Sequence, residues 1–93
     1  LIADVWLYPT DQGGKLQPVF SGWGYPCKTT LDPEEPAWDG WPTLGEAELR
    51  PGETGRFGWM FLSGDQAAST MRQAGKFYLW EGRIIGEAVV VTE

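Results

Sequence analysis

The 93-residue sequence contains no histidine and a single cysteine, Cys27. Without histidine, the usual general base near neutral pH is missing, and with it the usual anchor of a serine or cysteine nucleophile. One cysteine cannot close an internal disulfide. With no CxxC spacing and no histidine it also has no companion for a metal site, so Cys27 reads as a plain thiol suited to a reducing compartment. No apolar run approaches the roughly 20 residues of a membrane span, and Leu1 to Tyr8 lacks the basic flank of a signal peptide. The expectation is a soluble, cytoplasmic chain with no membrane partner. A first residue other than methionine suggests a processed, trimmed or excised product.

Cations are also scarce, with seven lysines and arginines against thirteen acids and a net charge of −6. Seven of those acids (Asp32, Glu34, Glu35, Asp39, Glu46, Glu48 and Glu53) fall between Asp32 and Glu53, against the one base Arg50. That segment repels phosphate backbones and argues against DNA, whereas Lys15, Lys28 and Arg83 lie outside it and could form a local basic spot. The plainer reading of the segment is a solvated acidic loop.

No nucleotide-binding signature is present either. Gly52-x-x-Gly55-Arg56 and Gly13-Gly14-Lys15 lack the glycine spacing and GK[ST] ending of a phosphate loop. The carboxylates could in principle form a glycosidase pair, but they sit in a proline-broken loop or on one face of a short strand, where solvation is the default. We therefore expect no enzyme activity and no cofactor.

What the chain does have is aromatic and β-forming residues, with 42% hydrophobic residues and six tryptophans. A chain of this length fits one domain, residues 1–93, and buries roughly 60–65% of its unfolded surface. Ile2 to Tyr8 alternates, with Ala3, Val5 and Leu7 on one face and Asp4, Trp6 and Tyr8 on the other. Pro9 to Pro18 reads as a long turn. Val19-Phe20 and Tyr25 to Thr30 read as extended, bent at Gly22 and Gly24. Asp32 to Pro42, with three prolines and no periodicity, reads as an exposed loop.

Gly45 to Leu49 is a short strand candidate, and Arg50-Pro51-Gly52-Glu53 fits a type II turn. Gly55 to Leu62 alternates, with Phe57, Trp59 and Phe61 facing a core. Ser63-Gly64-Asp65-Gln66 fits a capping box, opening a short helix that ends at Ala74 before Gly75. Lys76 to Trp80 and Arg83 to Thr92 flank Glu81-Gly82, a two-residue hairpin link. The last strand is apolar on both faces after Glu87, so both faces are expected to be covered. The expected fold is all-β, a small barrel with one short helix near residues 65–74.

The aromatics exceed what one small core can bury. Trp6, Tyr78 and Trp80 could line a second small core under the loops, or remain exposed as contact residues. Trp23 and Tyr25, in the glycine-rich stretch beside Lys28, are the stronger candidates for contact.

Gly13-Gly14-Lys15, Pro18, Phe20, Gly22-Trp23 and Lys28-Thr29-Thr30 follow the order Gly-Gly-Arg, Pro, Phe, Gly-Tyr and Arg-Thr-Thr-Asp. Pro51-Gly52-Glu53 and the run from Lys76 to Gly86 continue it as a Pro-Gly-Asp turn and a closing Glu-Gly hairpin. In this pattern the chain resembles the C-terminal domain of bacterial elongation factor Tu over nearly its whole length. The resemblance implies a six-stranded antiparallel β-barrel that binds other molecules without catalysis. It also implies a protein partner, such as a GTPase domain or another translation component, and as the alternative a weak hold on the T-stem of tRNA.

Carried over by position, the resemblance implies tRNA-side contacts at Lys15, Thr29 or Thr30, and Gly82, with Lys28 and Arg83 beside them. The candidate partner-binding residues are thus Lys15, Trp23, Tyr25, Lys28, Thr29, Thr30, Gly82 and Arg83. The chain departs from the pattern at Gly24-Tyr25-Pro26-Cys27, where the arginine and glutamine of the family are missing. It departs again in the acidic loop and in the helix, and it carries no GTPase domain.

Overall fold

A computed structural model describes residues 1–20, 24–32, 34–44 and 47–91. Trp23, Gly22 and Glu46 lie outside the described residues, as do the expected strand ends at Gly45 and Thr92. Among the described residues eight strands form: β1 Ile2–Leu7, β2 Val19–Phe20, β3 Tyr25–Lys28, β4 Trp38–Thr43, β5 Glu48–Leu49, β6 Thr54–Phe61, β7 Lys76–Trp80 and β8 Ile84–Val90. One helix, α1 Asp65–Ala74, lies between β6 and β7 in sequence. Six strands close an antiparallel barrel in the order β1-β6-β4-β3-β7-β8, with β8 returning to β1, and β2 pairs with β5 in a separate ribbon. The small all-β barrel expected from the sequence is the fold observed.

The alternation of β1 explains its place. Ala3, Val5 and Leu7 point inward and are fully buried, so the strand can pair on both edges while its inner face fills the barrel. Opposite them β6 turns Phe57, Trp59 and Phe61 inward. Trp59 stands edge-on to Phe77 with ring centroids 5.4 Å apart, and Phe61 meets Phe77 at 6.0 Å. This aromatic cluster is the heart of the core, which Leu7, Leu79, Ile85 and Met71 complete. Cys27 also faces inward and is fully buried.

The exposed loop expected over Asp32 to Pro42 is corrected by β4, which begins at Trp38 and pairs with both β3 and β6. Its inward positions are Gly40 and Pro42, both buried. A Cβ at Gly40 would stand 2.8 Å from the Phe61 ring, so the bulk of β6 requires a residue without a side chain there. Cross-strand packing overrides the poor strand propensity of both residues.

The capping box is also absent. Gly64, at φ 62°, is the N-cap residue of α1 and no side chain caps the helix. The Gly64 N–H closes a turn onto the Phe61 carbonyl at 2.9 Å, which carries Ser63 past the position a cap requires. The other end of α1 is as expected, with Gly75 at φ 77° and its N–H donating to the Met71 carbonyl. Ala67 and Met71 are the helix residues buried beneath it.

The link between β7 and β8 has three residues, Glu81 to Arg83, since β8 starts at Ile84. A register shift after Leu79 leaves Ile85 as an extra residue, and both Ile85 and Gly86 are buried in consequence. Coverage of both faces of β8 does not hold, because Val89 is 51% exposed. The expected strand from Gly45 is a two-residue β5 among the described residues. Among the described residues no helix is long and apolar enough to cross a membrane.

Candidate functional site

The turn after β7 and the loop after β1 meet at one end of the barrel, and most of the residues singled out from the sequence gather around them. The first partner is the loop itself. Its backbone tightens through a short helical turn at Thr10–Gln12 and reverses at Gly13, which has φ 90°. Gly14 then presses so closely on the Tyr8 and Pro9 carbonyls that a Cβ would overlap them. The Gly13 and Gly14 carbonyls are thereby left pointing outward, and the Arg83 guanidinium grips both, donating from Nε at 2.6 Å and from a terminal nitrogen at 2.8 Å. Gly82, at φ 73°, allows the turn to present Arg83 in this way.

Lys15 continues from the same loop. Its side chain is only 10% exposed, with Nζ 3.8 Å from Glu81 and 3.5 Å from both the Tyr25 hydroxyl and the Pro18 carbonyl. Tyr25 is 3% exposed, and burial above all, then the Glu81 charge, pushes its hydroxyl up to about 12. Lys28 is buried at 4% exposure, yet its charge is met: Nζ donates to the Asp32 carbonyl at 2.5 Å and lies 5.1 Å from the Trp80 ring centroid. The Thr29 and Thr30 hydroxyls both donate to the Glu35 carboxylate, which they hold below the usual carboxylate range. The start of the acidic loop is therefore a folded cap over Lys28.

The structure thus brings Lys15, Tyr25, Gly82 and Arg83 together and places Lys28, Thr29 and Thr30 along the adjoining strand end. It also commits the three cations to intramolecular partners. Tyr25 and Lys28 are buried and present no contact surface, while Thr30, Gly82 and Arg83 are exposed. Trp23 lies outside the described residues.

A second surface was visible in the sequence only as the outward half of the β1 alternation. Asp4 lies opposite Val89 on one side and Arg56 on the other, and Trp6 lies opposite Glu87. Asp4 and Arg56 form a two-point ion pair at 2.7 and 2.9 Å. Beside it Ile2, Trp6 and Val89 are exposed at 39%, 37% and 51%, and Met60, four residues farther along β6, at 66%. Trp6 stands edge-on to Tyr8 at 4.9 Å, and the Tyr8 hydroxyl donates to Glu87, which Lys76 approaches at 3.4 Å. Partial burial, then the Glu87 hydrogen bond, pushes Tyr8 up to about 12. Tyr78 lies under Lys76 and Trp80 under Lys28, so neither stands free. Because this face draws on β6, β1, β8 and β7, pairing register rather than any local motif assembles it.

Among the carboxylates considered for catalysis, Glu48 pairs with Arg50 at 3.2 Å and Glu35 is held by the two threonines. Among the described residues no three His, Cys, Asp or Glu side chains converge as a metal site requires. No protein-family model matches the chain, and no curated protein matches it.

Proposed function

We propose that the chain is a non-catalytic binding module resembling the C-terminal barrel of elongation factor Tu, acting in the cytoplasm, and that its partner is a protein of the GTPase or translation-component kind. One observation carries the choice of protein over RNA. Lys15, Lys28 and Arg83, the cations an RNA surface would need, are engaged within the molecule, whereas Ile2, Trp6 and Val89 stand exposed beside a paired Asp4 and Arg56, with Met60 exposed farther along β6. An apolar patch with a polar centre suits a protein interface, and a net charge of −6 disfavours a phosphate backbone. The partner surface is accordingly the outer face of β1, β6 and β8.

The alternative, a weak tRNA T-stem module, draws on the exposed Thr30, Gly82 and Arg83 at the barrel end. Two measurements separate the readings. Titration of tRNA at low ionic strength is expected to give no binding. Salt-dependent binding that falls when Lys15 and Arg83 are changed to glutamine would favour RNA instead. A photo-crosslinking residue at Val89 is expected to give protein adducts in cells that one at Glu34 does not. Equal yields from the two sites would remove the support for this face.

A further inference from the structure

A cavity of about 250 Å³ opens between β6 and α1, lined on the helix side from Asp65 in its first turn to Arg72 in its last. Leu1, Met60 and Phe61 supply apolar walls, Trp59 contributes to the lining, and Asp65 and Arg72 stand on the helix side. Trp59 is 4% exposed, and its Nε1–H has no hydrogen-bond partner among the described residues. Buried indole N–H groups nearly always find an acceptor, so this one marks a place where an acceptor belongs. Arg72 is exposed and enters no ion pair or hydrogen bond among the described residues. Gly64, also in the lining, opens α1 without a side-chain cap, so the first-turn amides add to the same excess of donors. The cavity has apolar walls and an unmatched cation, and its lining residue Trp59 carries an unmatched buried donor. Its one lining acid is Asp65.

We propose that this cavity binds a small monocarboxylate, its apolar body against Leu1, Met60 and Phe61 and its carboxylate accepting from Trp59 Nε1 and Arg72. A volume of about 250 Å³ lies below the roughly 300–1,000 Å³ of sites for drug-sized ligands, which restricts the body to a single ring or a short alkyl chain. Asp65 repels a second negative charge, so a dianion such as phosphate is disfavoured. The site shares Met60 with the proposed partner face, but it is argued and tested without a protein partner.

The test is a titration of ¹⁵N-labelled protein with benzoate, benzamide and inorganic phosphate, following the Trp59 indole N–H signal. That signal is assigned by its loss in Trp59→Phe or, should that variant not fold, by its through-space contacts with the Phe77 ring. Benzoate is expected to move it saturably, with benzamide weaker and phosphate without effect. Arg72→Gln, a change at an exposed helix position, is expected to weaken benzoate about tenfold while the rest of the spectrum is preserved. An indole signal that benzoate leaves in place would overturn the proposal. So would equal affinity in Arg72→Gln, or a long-lived water contact to the indole N–H that persists at saturating benzoate.

Discussion

Arg83 joins two segments 69 and 70 residues apart through a single side chain, donating to the Gly13 and Gly14 carbonyls at once. Its planar fork suits two adjacent carbonyls, a geometry that a lysine ammonium cannot copy. Arg83→Gln should therefore lower stability by about 1–2 kcal/mol, and Arg83→Lys should recover only part of it, as measured by urea unfolding midpoints. Tyr8 and Tyr25 set the alkaline limit. Both stay neutral to about 12 in the folded protein, whereas an unfolded tyrosine ionises near about 10. Between those values the unfolded chain gives up protons that the native protein retains. The tyrosines' contribution is thus complete below about pH 10 and declines as pH rises towards 12, by up to about 2 kcal/mol for each. Unfolding midpoints compared at about pH 9 and about pH 11.5 should show the drop, and Tyr25→Phe should reduce it. Cys27 is fully buried with its thiol pushed strongly upward, first by desolvation and then by Asp39. A thiol reagent should accordingly modify it only as fast as the protein unfolds.

At the scale of elements, two glycines separate conformational need from steric need. Gly75 caps α1 at φ 77° with open space where a Cβ would lie, so Gly75→Ala should cost about 1 kcal/mol and leave the fold intact. Gly14→Ala would drive its Cβ into the Tyr8 carbonyl, and the expected outcome in circular dichroism melts is a far larger loss. The elements that could be read in the sequence are those whose inward residues alternate by size and polarity, as in β1 and β6, or whose ends are marked by glycine, as at Gly75. β4 could not be read this way, because Gly40 and Pro42 are dictated by the aromatic rings of β6 and say nothing locally about a strand. The same distinction holds for the candidate surfaces. Lys15, Tyr25 and Arg83 were found through their neighbours in sequence, but their internal partners, Glu81, Gly13 and Gly14, appear only once the two loops meet. The outer face of β1 depends on register across several strands, which no single stretch of sequence encodes.

For the molecule as a whole, closure of the barrel settles how it meets solvent and load. Every barrel strand has a neighbour on both sides, so backbone groups of the sheet are largely satisfied internally and recognition falls to side chains. The first and last strands are hydrogen-bonded neighbours running in opposite directions, with Ala3 opposite Val90 and Leu7 opposite Gly86. The start of β1 and the finish of β8 therefore emerge side by side. Tension applied between them would peel the two strands apart one hydrogen bond at a time, as a zipper opens. Tension between Leu1 and Arg83 would instead pull along the strands and strain many bonds together. Single-molecule pulling from these two pairs of attachment points should record a clearly lower rupture force for the first, which makes the barrel tough along its strands and easily opened at its seam.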